Sequence, residues 1–293
     1  MSIQALPYIL LLGVLFGSTL IASRFSVGQF HPTTYIGLRV VIASLGHLAI
    51  YAFVGQYKWP TDRRLWRHAT ILGIFGTALP MTAIVAALLY QSSGVTSLLI
   101  TTNPALTVLL AHFFLADERL TIHKSLGILL ALGGAALLAA RGETGLPDMS
   151  AANPIGYLLI LIAIIASSSM TIYARKYMSD LDSFDVASVR MFVAALVVMP
   201  LSVLFVGFDL QAVTTQGYFA LGYAALIGTF SGFMLSFYII KRFGATASAM
   251  TAYVIPLVAG VGGVFILDET ITRTMLVGMG LIISGIALIN QRR

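Results

Sequence analysis

Apolar runs of roughly 20 residues recur along the whole chain, and each is long enough to cross the ~30 Å hydrocarbon core of a bilayer as a helix. Charges, prolines and turn residues bound the runs. Read this way, the sequence predicts ten transmembrane helices. The first five are Pro7–Val27, Thr34–Gly55, Ala69–Tyr90, Val95–Leu115 and Ser125–Ala140; the second five are Pro154–Tyr173, Val186–Gly207, Tyr218–Ile240, Ala245–Leu267 and Met275–Ile289. The fifth and tenth are the shortest and must borrow flanking residues to span. Only 10% of the 293 residues are charged, against roughly 25% in a soluble domain. Soluble enzymes, disordered tails and nucleic-acid modules are thereby excluded, and the expected fold class is an all-α polytopic membrane protein. The first run opens at Pro7 without a basic stretch or an A-x-A cleavage site, which reads as a retained span rather than a signal peptide. Cysteine is absent, so no disulfide framework or thiolate chemistry is available.

The net charge of +6 is a matter of topology. With both termini inside, the inner loops and tail carry twelve cations: Lys58, Arg63, Arg64, Arg67, Arg119, Lys124, Arg175, Lys176, Lys241, Arg242, Arg292 and Arg293. The outer loops carry three, Arg24, Arg141 and Arg273. Positive charge marks the cytoplasmic side, so both termini are expected there, in a bacterial-type inner membrane. Arg39 and Arg190 lie inside spans and complete the 17 Lys and Arg, and all 11 acidic residues fall in loops or at helix ends.

The two halves repeat at an offset near 151 residues. Arg39 matches Arg190, Asp117-Glu118 matches Asp268-Glu269, Gly127 matches Gly278, Gly134 matches Gly285 and Arg141 matches Arg292. Five helices per half is an odd number, so the second half is expected to enter the membrane upside down. The division is residues 1–141, an external linker at 142–153, and residues 154–293. Inverted repeats of this kind underlie alternating-access transporters whose site lies near the midplane.

Several segments resemble the EamA branch of the drug/metabolite transporter superfamily. They are Phe16-Gly17-Ser18, Asn103-Pro104 followed by Asp117-Glu118-Arg119-Leu120 and Gly127, and Ile255-Pro256 followed by Asp268-Glu269-Thr270 and Gly278. Within that family the chain looks most like the YddG-type exporters of aromatic and other amino acids, although many EamA members have Trp where Phe16 stands. The resemblance implies a central cavity surrounded by the first, third, fourth, sixth, eighth and ninth helices.

Absent groups narrow the chemistry. No span centre carries a carboxylate, the usual mark of a proton or cation relay. No lysine lies in a span, which disfavours phosphorylated substrates, and no metalloprotease or hydrolase motif occurs. His47 is the one titratable side chain near a span centre; it either relays protons or is a neutral ring bonded to a neighbouring helix. The candidate cavity residues are neutral: Ser18, Thr77, Thr82, Thr101, Asn103, Ser168, Thr171, Thr229, Tyr238 and Tyr253. Any one hydroxyl can instead be satisfied by its own helix. Pro80 and Pro256 each free a carbonyl that a substrate ammonium could use.

The sequence therefore reads as a non-enzymatic facilitator that exports amino acids, aromatic ones included, and related small metabolites. The alternative is a proton-coupled multidrug or metabolite antiporter of the same fold. Small-molecule substrates and the lipid bilayer are the partners implied. No nucleic acid, cofactor or metal is implied, and a single chain is compatible with the reading. Depth also suggests two latches across the halves, Arg39 with Asp268 or Glu269 outside and Arg190 with Asp117 or Glu118 inside. The alternative is that both arginines snorkel to headgroups or cap helix carbonyls. The topology has a direct test: reporter fusions within Glu143–Pro147 are expected to read as external. A cytoplasmic signal there would overturn the orientation and the inverted repeat together.

Overall fold

Backbone amides and carbonyls find no partner in hydrocarbon, so every crossing of an apolar chain like this one has to be helical. The computed structural model describes residues 3–115, 119–147, 153–243 and 245–291. Its described residues form ten membrane-length apolar helices. The first half contains α1 Leu6–Phe25, α2 Pro32–Phe53, α3 Arg63–Ala87, α4 Ser93–Phe114 and α5 Ile122–Ala140. The second contains α6 Pro154–Tyr177, α7 Ser183–Val206, α8 Thr215–Ile240, α9 Ala247–Leu267 and α10 Arg273–Asn290. All ten coincide with the predicted runs, and the largest difference is at α3. Its helix starts at Arg63 rather than Ala69 because the first turns are amphipathic. Leu65, His68 and Ala69 are buried while Arg63, Arg64 and Arg67 stay exposed, a pattern that an apolar window reads as loop.

Local signals repeat with the halves. His31 caps α2 and Asp182 caps α7, each side chain accepting from a first-turn N–H. Thr121 and Thr272 do the same for α5 and α10. Both pairs of caps are separated by 151 residues.

Packing follows the same exchange of halves. α1 packs on α9 as α6 packs on α4, α1 on α8 as α6 on α3, and α2 on α8 as α7 on α3. The remaining large contacts join equivalent helices: α2 with α7, α5 with α10 and, less extensively, α4 with α9. In the first of these pairs, the Thr34 and Ser202 hydroxyls lie 2.6 Å apart and His47 Nδ1 lies 3.0 Å from Ser188 Oγ. Rising numbers on α2 thus meet falling numbers on α7, and the two run antiparallel. In the second, a Cβ on Gly127 would lie 2.5 Å from the Gly285 carbonyl oxygen, and one on Gly134 2.8 Å from that of Gly278. These helices are antiparallel too, which is the relation that inverted halves require.

The α5–α10 contact is backbone against backbone and depends on the missing side chains. Gly285→Val is expected to destabilise the protein by about 1–3 kcal/mol through overpacking. Gly280, on the same helix with open space around its Cβ position, should tolerate Ala within about 0.5 kcal/mol. Thermal aggregation in detergent, followed by size-exclusion chromatography, compares the two. Equal midpoints would remove the close contact as a source of stability.

Candidate functional site

Two arginines inside the membrane-spanning region organise the interior. Arg39 lies seven residues after Pro32, the first residue of α2, and Arg190 seven residues after Ser183, the first residue of α7. At 1.5 Å per residue each guanidinium starts about 10 Å along its helix. Neither snorkels to a headgroup. Arg39 donates from Nε to Thr229 Oγ1 on α8 at 2.7 Å and from Nη1 to Ser23 Oγ on α1 at 3.2 Å. Arg190 donates from Nε to Thr77 Oγ1 on α3 at 2.9 Å, and its Nη2 lies 3.5 Å from the Gly76 carbonyl. Each arginine is thus held by a threonine of the opposite half.

Both threonines sit where a helix widens. Residues Ile74–Ala78 of α3 and Tyr223–Ser231 of α8 are π-helical, an arrangement frequent at functional sites. Thr229 donates to the Ala224 carbonyl five residues back, at 2.8 Å, and so keeps lone pairs for Arg39. Ser23 is equally committed: it donates to the Thr19 carbonyl and accepts from the Tyr35 hydroxyl at 3.3 Å.

Aromatic rings fill the space beside these groups. The Arg190 guanidinium lies 5.3 Å from the centroid of the Phe233 ring, a cation–π distance. Phe233 meets Phe16 of α1 edge-on at 6.0 Å, and Gly232 leaves room for Phe16 on α8. His47 is buried and packs edge-on against Phe230 at 5.2 Å; its Nδ1 pairs with Ser188, and its Nε2 has no hydrogen-bond partner among the described residues.

The predicted cavity residues separate into distinct roles. Thr77 and Thr229 are buried and hold the arginines. Asn103 does not present its amide to a cavity: Nδ2 donates to Ser167 Oγ at 3.0 Å, and Oδ1 accepts from the buried Ser168. This pair binds α4 to α6, as expected of polar residues that join membrane helices. Ser18 Oγ lies 2.8 Å from the Tyr223 hydroxyl and ties α1 to α8. Thr171 is exposed and bonds to the Ser167 carbonyl of its own helix. Thr82 is half-buried on α3. Tyr238 packs on Tyr8 near the start of α1 rather than at the midplane, with ring centroids 5.2 Å apart. The Tyr253 hydroxyl accepts from Asn290 Nδ2 at 3.3 Å, at the end of α10.

The two freed carbonyls are also taken by protein donors. Pro80 frees the Gly76 carbonyl, the one that Arg190 approaches. Pro256 frees that of Ala252, which has Thr101 Oγ1 3.4 Å away. Neither is left open for a substrate ammonium in this arrangement.

A second constellation joins α1, α4 and Glu269 at one end. Glu269 is buried at 5% exposure, and its carboxylate accepts from Ser93 N and Ser93 Oγ, both at 2.7 Å, and from Gly94 N at 3.3 Å. These are first-turn groups of α4, where the helix N-terminus favours an anion. Arg24 of α1 lies 4.0 Å from the same carboxylate and donates to the Leu88 carbonyl at 2.8 Å. The expected Arg39–Glu269 latch is therefore corrected: Glu269 pairs with Arg24 and α4, while Arg39 turns inward to hydroxyls. Arg24, Ser23 and Ser93 were missed by sequence reasoning. Arg24 was detectable, because Arg175 follows it at the repeat offset. Asp117 and Glu118, the expected partners of Arg190, lie outside the described residues.

At the opposite end Arg64 forms a two-point pair with Asp180, at 2.6 and 3.0 Å, that joins α3 to the α6–α7 loop. The guanidinium holds the Asp180 carboxyl below its ordinary range. Both side chains are about half exposed or more, so water screens the pair and it contributes little.

Comparison with known proteins adds the family. The model of the EamA-like transporter family matches residues 4–140 and again 154–291. An uncharacterized inner membrane transporter of Escherichia coli, YedA, is 26% identical over 94% of this chain and 87% of its own length. An uncharacterized transporter of Archaeoglobus fulgidus is 25% identical over 94% of this chain and 95% of its own length. A probable terminal-alkyne amino-acid exporter of Streptantibioticus cattleyicolor is 29% identical over 87% and 82%. One solved structure superposes with a TM-score of 0.69 at 19% identity, covering 96% of this chain and 94% of that one, a likeness of fold alone. Ten apolar helices and a family match in each half make the chain a multi-pass membrane transporter rather than an enzyme, and it belongs to the EamA-like transporter family.

Proposed function

We propose that this transporter exports amino acids, aromatic ones included, and related small metabolites by alternating access, as a facilitator. Residues 1–141 and 154–293 act as inverted halves joined by 142–153, with both termini cytoplasmic and the Glu269 clasp on the outer face. The observation that carries the reading is the ownership of that clasp. Its anion belongs to the second half, and its cation and helix N-terminus belong to the first. Opening that face requires the halves to part. The amino-acid class draws on the exporter relative's printed name and on the hydroxyls and phenyl rings of the interior. A facilitator fits the placement of acids: among the described residues the one carboxylate within a span is Asp185, in the first turn of α7, where it accepts from the Tyr51 hydroxyl.

A proton-coupled exporter is the second reading, and the unpartnered Nε2 of His47 favours it. Purified protein in liposomes separates the two. Labelled phenylalanine is expected to equilibrate without a pH step and to gain nothing from one. Accumulation driven by a pH step and lost in His47→Ala would establish the proton-coupled reading instead.

The clasp has its own test, made simple by the absence of native cysteines. With one cysteine at Ser18, Glu269→Gln is expected to speed labelling by an impermeant maleimide from outside. Loss of ~1.5–3 kcal/mol from a charge-assisted hydrogen bond corresponds to about a tenfold rise in rate or more. An unchanged rate would mean that the clasp does not hold the outer face closed.

A further inference from the structure

We infer that Arg39 and Arg190 bind the substrate's carboxylate, one in each half, and so make a carboxylate rather than an ammonium the obligatory group of the solute. This names the substrate class within the transport reading above, and it rests on that reading for flux but not for binding.

The two guanidinium groups are positioned but not neutralised. A guanidinium carries five N–H donors. Two on Arg39 are bonded to hydroxyls; on Arg190 one is bonded to a hydroxyl and a second lies at the limit of reach of a carbonyl. In both, Nε takes a threonine, which fixes the plane of the fork and leaves further Nη donors without a protein partner among the described residues. Both side chains keep part of their surface exposed rather than being sealed. No carboxylate among the described residues lies near enough to pair with either: the ion pairs there are Arg24–Glu269 and Arg64–Asp180. A pre-oriented planar cation without a counter-ion, in a low-dielectric interior, is the arrangement that a planar carboxylate satisfies with two parallel hydrogen bonds.

What lies beside the cations suits the rest of such a solute. Phe233 covers one side of Arg190 and leads to Phe16, an apolar surface on which a side chain can rest while its carboxylate faces the fork. The equivalence of the two sites matters as well. Each arginine is seven residues into its span, and inverted halves place them at matching depths from opposite faces. A carboxylate can therefore be taken up at one and released from the other. Arginines serving only as staples between halves would affect every solute alike, whereas carboxylate-binding arginines set a preference.

The test uses the purified full chain and four ligands: phenylalanine, 3-phenylpropionate, phenylalaninamide and phenethylamine. Binding is read from ligand-induced thermal shifts and transport from liposome counterflow. Wild type is expected to bind phenylalanine and 3-phenylpropionate and to discriminate against the two compounds that lack a carboxylate. Arg39→Gln and Arg190→Gln are each expected to weaken carboxylate binding about tenfold or more, and Lys at either position should restore part of it. Equal binding of phenethylamine and phenylalanine by wild type would overturn the inference, as would monodisperse Gln variants that keep the wild-type ranking. If a Gln variant does not fold, the Lys variants and the wild-type ligand series decide. Binding of 3-phenylpropionate without any phenylalanine flux would sink the transport reading alone. Phenylalanine flux with unchanged ranking in the variants would sink the carboxylate assignment alone.

Discussion

Each half of the molecule sets one deep arginine, Arg39 or Arg190, against a threonine of the other half, and the neighbouring interior is arranged around that exchange. A guanidinium at a helix centre costs ~2.5–3.5 kcal/mol, and less toward the ends. Arg39 and Arg190 meet that cost through Thr229 and Thr77, each of which lies on the opposite five-helix unit. The π-helical stretches follow from this. A normal α-helical threonine donates to the carbonyl four residues back, whereas Thr229 reaches back five. The wider turn moves Thr229 to meet Arg39. The stretch that holds Thr77 ends at Ala78, just before Pro80, whose missing N–H leaves the Gly76 carbonyl to Arg190. The π-helical stretches of α3 and α8 thus each form one connected device with an arginine, and in α3 proline is part of it.

The two ends of the molecule are joined by contacts of different kinds. At one end the Glu269 carboxylate is buried and surrounded by donors. Stripping one partner from such a buried charge is far more damaging than removing an exposed ion pair. At the other end Arg64 and Asp180 are exposed to water, and aromatic packing does more of the work: Trp59 meets Tyr51 at 5.0 Å, and Tyr57 meets Phe184 at 4.9 Å. An end held by rings can slide and re-pack, while an end held by a buried carboxylate is either docked or undocked. In this structure, the carboxylate is docked.

The fold was legible in the sequence because the constraint that governs it is one-dimensional: hydrocarbon thickness sets run length, and charge ends each run. The repeat was legible too, since Gly127, Gly134 and Gly285 are fixed by close backbone contact and Gly278 by the Leu138 side chain packed against it. The site was only partly legible. Thr77 and Thr229 stand out in the sequence as neutral cavity candidates, but nothing there connects them to the arginines, because widened turns leave no mark in composition. The place of Asn103 before Pro104 predicts a cavity residue, yet its amide bonds to Ser167 and Ser168. Glu269 was matched by depth to Arg39, whereas the N-terminus of α4 and Arg24 lie nearer in space. Depth orders residues along the membrane normal, but partners are chosen by helix neighbours, and those come from packing.

The chemistry of the interior also bears on energy coupling. Proton-driven exchange needs a group that gains and loses a proton within each cycle, and carboxylates and imidazoles do so readily. Guanidinium groups do not, so interior arginines can attract an anion without carrying a proton. When a zwitterion occupies such a site, its carboxylate neutralises the fixed cation and its ammonium restores the net charge, so the protein moves no proton of its own. Besides the buried carboxylate of the Glu269 clasp and the buried His68 in the first turns of α3, that leaves His47 as the buried side chain among the described residues that readily changes protonation. It is hydrogen-bonded at one nitrogen, enclosed by Phe184 and Phe230 and fully buried. A ring so enclosed exchanges its proton only when the surrounding helices part. Coupling through it would therefore follow the conformational cycle rather than drive it.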